Sequence, residues 1–305
     1  MAGSQLQQGK VDLFGLVARI KDEFPDLRFD RAVLNDDGED HAVVFLDESW
    51  VFRFPRSPAA ARYAAGERRL LERLNAVSPL ATPLYEMTAA HGVFAGYRLI
   101  RGQSLSERLF ASLARPIQER LVDELGGFLG CLHALPIDLI APTDGGPAPA
   151  HTGSAFAADY WRRREVIAAG LAPELRARVD RFYEVFPAVV DQPAKVLIHG
   201  DLSEDHILLA PDGEQLAGVI DFTDAGPGDA AFDFCFLWAY GEWAPARAGA
   251  SYGAGEEARK VVERSRWWWT RYSVDRLWWD LTGARAYDTQ MLLGHISRSL
   301  TSLGF

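Results

Sequence analysis

Read for hydrophobic period, the chain falls into two textures. In "VDLFGLVARIKDEFPDL" (11–27) apolar positions recur at helical spacing and stop near Pro25, which predicts an N-terminal helix. The runs "HAVVFL" (41–46) and "WVFRF" (50–54) are β-rich and separated by "DES", a hairpin-like pair. "PAAARYAAGERRLLERLNAV" predicts a helix, and "GVFAGYRLIRGQSL" predicts two more short strands around a stop at Gly102. Residues 30–100 therefore read as a small sheet with one inserted helix.

Beyond Gly102 the helical period dominates. "ERLVDELGGFLGCLHALP" is an amphipathic helix ending at Pro136, and "DYWRRREVIAAG" and "PELRARVDRFYEVFPAVV" continue the texture. Between them, "APTDGGPAPAHTG" (141–153) is a Pro/Gly-rich stretch read as a surface insertion. "LLAPDGEQLAGVI" is a strand–turn–strand pattern with Asp212-Gly213 as the turn, and a helix-rich tail follows from "DAAFDFCFLWAYGEW". No internal repeat is visible. The organisation is a small β-rich lobe, a connector, and a larger helical lobe carrying one polar hairpin.

Composition changes this picture little. The 305 residues exceed one comfortable core, and 48% hydrophobic with 24% charged is ordinary globular usage. A net charge of −10, from 32 basic and 42 acidic side chains, argues against a broad nucleic-acid or anionic-membrane surface. Cys131 and Cys235 both lie in apolar runs, which predicts core packing and suits a reducing compartment. The N-terminus lacks a signal pattern, and no run reaches the roughly 18 apolar residues of a membrane span. The expectation is a soluble, cytoplasmic protein.

Candidate chemistry concentrates in "HGDLSEDHILL" (199–209) and "IDFTDAGPGDAAFDF" (220–234). Asp201 follows the apolar "KVLI" and Asp221 follows "GVI". An antiparallel ribbon returns the chain beside its start, so the two carboxylates are expected to converge, with His206 leaving the same loop. One carboxylate can then take a hydroxyl proton while the other holds Mg²⁺, which is what phosphoryl transfer needs. A hydrolytic metal site built from His199, Asp201, His206 and Asp221 would explain the loop alone.

"LIHGDLSEDHILL" followed by "GVIDFTDAGPGDAAFDF" resembles the aminoglycoside phosphotransferase family, from about residue 30 onward. The resemblance implies an α+β, protein-kinase-like bilobal fold: a nucleotide-binding lobe at 1–97, a hinge at 98–102 and a catalytic and substrate lobe at 103–305. It implies an enzyme that phosphorylates a hydroxyl of a small molecule, an aminoglycoside antibiotic first. A macrolide, or a metabolite of the choline, homoserine or sugar type, is the alternative acceptor, and a nucleotide-binding pseudokinase is the inactive alternative. Asp201 matches the aspartate that accepts the hydroxyl proton, and Asp221 the one that binds Mg²⁺ on the nucleotide. His206 stands where the commonest pattern has asparagine, a second metal ligand, and resembles the 2″-aminoglycoside and 2′-macrolide branches. His199, Asp229 and Asp233 match positions that brace the loop and the following helix.

In the small lobe the resemblance sets Arg53 at the phosphate-gripping cation, with Glu67 as its partner and Arg56 as a second candidate. Strand alternation puts Arg53 opposite the Trp50, Phe52 and Phe54 face, although a solvent-facing arginine fits the same pattern. The nucleotide loop has only Gly38. Tyr97 falls at the gatekeeper before the hinge, a place associated with use of GTP as well as ATP, and backbone groups from Arg98 to Ile100 would meet the base. Glu242 and Trp243 are the expected substrate contacts. The tryptophans at 267–269, 278 and 279 read mainly as core. The expected protein is a monomer whose partner is a cationic small molecule.

Overall fold

The computed structural model describes residues 12–305 apart from 37, 39 and 141–150, so most of the insertion read at 141–153 lies outside the described residues. Helix α1 (Leu13–Glu23) begins where Asp12 accepts hydrogen bonds from the Phe14 and Gly15 N–H groups, and it stops before Pro25. Strands β1 (Ala32–Asn35), β2 (His41–Leu46) and β3 (Trp50–Pro55) lead into α2 (Pro58–Asn75), which is followed by β4 (Tyr85–Thr88) and β5 (Ala95–Arg98). The five strands form one antiparallel sheet in the order β1-β2-β3-β5-β4. The two edge strands escaped the sequence reading: each has four residues and alternates between half-buried and exposed, too little for a period to register. Alternation on β2 and β3 sends Val44, Leu46, Phe52 and Phe54 against Leu16 and Ile20 of α1, a separate small core. The opposite face of β3 looks into the cleft.

The rest of the chain is mainly helical. Strand β6 (Gln103–Ser104) precedes α3 (Glu107–Ser112), α4 (Arg115–His133), α5 (Gly153–Ala169) and α6 (Pro173–Val190). Four short strands come next: β7 (Val196–Ile198), β8 (Ile207–Leu209), β9 (Leu216–Val219) and β10 (Gly226–Gly228). Helices α7 (Ala230–Phe234), α8 (Ala244–Tyr252), α9 (Glu256–Thr282) and α10 (Thr289–Ser302) close the fold. Their core is rich in aromatic rings, with Trp268 fully buried among Phe156, Phe186 and Phe232, so the core reading of that tryptophan holds. Cys235 is buried, Cys131 is partly so, and both are free thiols.

The polar hairpin forms as read, β8 pairing with β9 across the Asp212-Gly213 turn, but the strand before it joins elsewhere. A single ribbon running from "KVLI" to "GVI" is replaced by two pairings: β7 with β10, and β8 with β9 and β6. Asp201 therefore sits on the β7–β8 loop and Asp221 on the β9–β10 loop. The carboxylates still converge, because the Ile220 N–H donates to the His206 carbonyl at 2.9 Å and ties one loop to the other. The two halves of the molecule meet where Val219 N–H donates to the Ala81 carbonyl at 2.9 Å. A Cβ on Gly218 would lie 2.3 Å from that same oxygen, so only glycine permits the approach.

Candidate functional site

Arg53 is the hub of the cleft. It is 8% exposed, which disposes of the solvent-facing reading. Its Nη1 donates to Glu67 Oε1 at 2.6 Å and to the Tyr85 hydroxyl at 3.1 Å. Its Nη2 reaches Asp221 Oδ1 and His41 Nδ1, each at 3.2 Å, and donates to the Thr223 hydroxyl. Glu67 is fully buried on α2, so the ion pair fixes that helix against β3. Glu67 Oε2 has no protein partner. Burial pushes the Glu67 carboxyl up, and Arg53 opposes the shift. Arg56, the second candidate cation, is engaged elsewhere: its guanidinium holds the Asp36 and Gly38 carbonyls and the Asp36 carboxylate, pinning the β1–β2 loop.

Asp221 has φ of 62°, a left-handed conformation that costs a non-glycine residue about 1–2 kcal/mol. Aspartate tolerates it better than most, and the bend turns the carboxylate toward Arg53 and Thr223. Burial pushes this carboxyl up, but Arg53, then His206 and the Thr223 hydroxyl outweigh it and hold the group well below the usual carboxylate range.

His206 stands between the two carboxylates. Its Nδ1 lies 2.7 Å from the Asp201 carbonyl oxygen, 3.4 Å from Asp201 Oδ2 and 3.4 Å from Ser203 Oγ. A carbonyl can only accept, so Nδ1 carries a proton, and Nε2 faces Asp221 Oδ2, 3.6 Å away. Among the described residues no three His, Cys, Asp or Glu side chains form a cation cage. The Asp221 carboxylate alone suits an ion such as Mg²⁺, which typically takes one or two carboxylates and completes its shell with phosphate oxygens and water, whereas an imidazole nitrogen is a poor ligand for so hard an ion.

Behind the loop, Asp233 acts as a brace. It is fully buried and accepts from His199 N–H (2.8 Å), Gly200 N–H (3.0 Å) and His133 Nε2 (3.0 Å). His199 is also fully buried: Nε2 donates to the Ile220 carbonyl at 3.0 Å, and Nδ1 accepts from Asp201 N–H at 3.3 Å. Asp229 caps α7 and is gripped by Arg264 and the Trp268 indole. The bracing roles expected for all three residues match these contacts.

Gly200 has φ of 84°, and a Cβ there would lie 2.2 Å from the Asp224 carbonyl. Gly200→Ala is expected to destabilise the protein by roughly 1–3 kcal/mol or more and to depress activity beyond its effect on stability. Thermal unfolding together with turnover checks it; unchanged values of both would contradict the packing described.

The buried imidazoles also set an acid limit. Burial depresses the pKa of His199, and burial followed by Arg53 lowers His41 to about 3. A group with a lowered folded pKa binds protons more readily when unfolded. Its contribution is complete above the ordinary value of 6.5 and is lost as pH falls. Asp233, also depressed, adds a second loss below 3.8. The unfolding temperature is expected to decline progressively below about pH 6.5, and a flat profile down to about pH 5 would contradict this.

A cavity of about 340 Å³ opens beside these groups, lined by Val51, Arg53, Tyr97, Leu99, Ile100 and Leu208 among others. It is continuous in its lining with a second space of about 270 Å³, bounded by Gly38, His41, Arg53, Asp221, Thr223 and Asp224. Tyr97 packs edge-on against Tyr85, with ring centroids 5.5 Å apart, and is pushed up to about 12 by burial. The Arg98 side chain points away from the cavity, over Trp50 at 3.8 Å, which leaves only its backbone for any ligand. Glu242 and Trp243 are not brought to this cleft. Arg266 binds the Glu242 carboxylate in a bidentate pair, and Trp243 stacks under Arg115 at 3.5 Å.

Four cleft residues escaped the sequence reading: His41, Tyr85, Thr223 and Asp224. His41 was within reach, since strand register sets Val43 opposite Arg53 and His41 two positions further along the same face. Asp224 is pushed up to about 6 by burial, then by Asp201, Asp221 and Asp40, a clustering that no spacing rule reveals.

Comparison with known proteins extends these observations. The model of the phosphotransferase enzyme family, APH, matches residues 31–268. The solved complex of an APH(2″) enzyme with GDP and kanamycin shares 25% identity and a TM-score of 0.73, covering 96% of this chain and 100% of that one. The gentamicin complex of APH(2″)-IIa is 18% identical, with a TM-score of 0.66 over 95% of this chain and 96% of that one. Macrolide 2′-phosphotransferase MphH from Brachybacterium faecium is 22% identical, with a TM-score of 0.60 over 96% and 98%. The last two likenesses establish a shared two-part fold.

Proposed function

Since the chain belongs to the phosphotransferase enzyme family, we propose that it transfers the γ-phosphoryl group of a nucleoside triphosphate to a hydroxyl of a small-molecule antibiotic. The relatives act on aminoglycosides and macrolides, and these are the two acceptor classes proposed for this chain. One observation carries the reading: His206 links the Asp201 loop to the Asp221 carboxylate directly beside the Arg53–Glu67 ion pair. A hydrolytic metal site has no use for a buried cation on a facing sheet.

In this reading Asp201 is the base that accepts the hydroxyl proton. Its side chain is partly exposed to the cleft, and its backbone is held by His199 and His206. Asp221 would hold Mg²⁺, with His206 either ligating it or orienting a water or phosphate oxygen that does, and the bound ion would neutralise phosphate charge. Arg53, kept in place by Glu67, brings a fixed guanidinium to the phosphate side of the cleft, where a phosphate oxygen would compete for the Nη2 donors now shared by Asp221, His41 and Thr223. The purine edge meets backbone groups from Arg98 to Ile100, the hinge spans 98–102, and the nucleotide and catalytic lobes are 1–97 and 103–305. The enzyme is taken to work as a cytoplasmic monomer. No helix among the described residues is long and apolar enough to cross a membrane.

The test is nucleoside diphosphate release over a panel of aminoglycosides and macrolides, with ATP and GTP in turn. Release that depends on one antibiotic class supports the reading. Nucleotide binding with no acceptor-dependent release points to a pseudokinase. Tyr97 carries a further expectation: GTP supports turnover at least as well as ATP, and a clear ATP preference would remove the gatekeeper argument.

A further inference from the structure

The cleft face of β2 carries His41, Val43 and Phe45, while Ala42, Val44 and Leu46 enter the small core. The two spaces in the cleft share Val43, Arg53 and Asp221. From these residues the first space runs to Leu99 and Ile100 at the hinge, and the second to Gly38, His41, Thr223 and Asp224. A nucleotide with its base at the hinge therefore sends its phosphates past Arg53 and into the space beside His41.

The His41 side chain is buried, and its neighbour fixes its ring state. Arg53 Nη2 lies 3.2 Å from Nδ1, and a guanidinium can only donate, so Nδ1 is the acceptor. The single ring proton then sits on Nε2. Burial, then the Arg53 charge, pushes the imidazole down to about 3, which keeps it neutral near pH 7. Among the described residues nothing bonds Nε2, yet it is not one of the closed-off polar atoms, so it opens onto the second space. The Asp40, Asp221 and Asp224 carboxylates line the same space, and none of them accepts from it. An acidic wall admits an anion only together with a cation, which is how a Mg²⁺–nucleotide arrives. Asp221, once engaged by that cation, would release its share of Arg53 Nη2, so a phosphate oxygen can meet Arg53 without displacing His41. An N–H aimed into this space has no use for an ammonium group. It suits an oxygen.

We propose that His41 is a further phosphate-binding residue: its Nε2–H donates to a non-bridging oxygen at the terminal end of the nucleotide's phosphate chain, beside Arg53. Arg53 then acts twice, as a cation facing the phosphates and as the donor that fixes the His41 tautomer. The inference rests on the phosphotransferase reading and deepens its nucleotide site.

The experiment uses the full chain and its His41→Asn and His41→Gln variants. Asparagine offers Arg53 an acceptor where Nδ1 stands but has nothing at the Nε2 position, whereas glutamine can place its amide donor there. For each protein three quantities are measured: kcat/KM for the Mg²⁺–nucleotide, the inhibition constant of the matching nucleoside without phosphates, and the unfolding temperature. His41→Asn is expected to lower nucleotide kcat/KM by about tenfold or more, the scale of one hydrogen bond to a charged group, with nucleoside inhibition unchanged. His41→Gln is expected to recover most of that loss. Wild-type kcat/KM in His41→Asn would overturn the proposal, and so would equal losses in the two variants. A parallel weakening of the nucleoside, or a loss that follows a lowered unfolding temperature, would overturn it too, because either marks a merely structural role. A wild type that neither binds nor turns over nucleotide overturns the parent reading instead.

Discussion

Asp201→Asn is expected to cut phosphate transfer by about a thousandfold, the middle of the typical range for loss of a positioned general base, while nucleotide affinity changes little. The substitution is nearly isosteric, and the loop around it is not held by the carboxylate. The backbone N–H of residue 201 bonds His199, and its carbonyl bonds His206. Asp233 fixes the preceding two N–H groups from behind. What the variant loses is proton acceptance at the cleft. Steady-state transfer and nucleotide titration check it together, and turnover within tenfold of wild type would remove Asp201 from its proposed role.

Asp221→Ala is expected to weaken Mg²⁺–nucleotide binding by roughly a hundredfold or more, the several kcal/mol that a metal-bridged phosphate charge represents. Nucleotide without Mg²⁺ should bind both proteins similarly. The fold should survive, because Arg53 keeps Glu67 and Tyr85 when Asp221 is gone. Alanine at φ of 62° adds a modest strain, and Asp221→Asn, which tolerates that conformation, separates strain from lost charge. Calorimetry with and without Mg²⁺ is the measurement. Wild-type affinity in the presence of the ion would refute the assignment.

The hydrophobic pattern carried most of this arrangement. Long helices such as α2, α4 and α6 announce themselves by period, and β2 and β3 by alternation, which also turned Arg53 away from the aromatic face. The convergence of Asp201 and Asp221 was legible, but its mechanism was not. Pairing of β7 with a Gly-Pro-Gly strand has no hydrophobic signature, so a single ribbon was the natural reading. Long-range partners were the main loss. Thr223, 170 residues from Arg53, meets it only because the two halves of the molecule pack face to face, and Tyr85, 32 residues away, because β4 joins the same sheet as β3. The partner of Glu242 was equally hidden: Arg266, on α9, claims its carboxylate from 24 residues away.

Mass analysis of an antibiotic after incubation with the protein, Mg²⁺ and GTP or ATP tests the central claim most directly. The expected result is the gain of one phosphoryl group on one acceptor class, matched by diphosphate release and lost in Asp201→Asn. Nucleotide bound at the cleft with every acceptor recovered unmodified would contradict it.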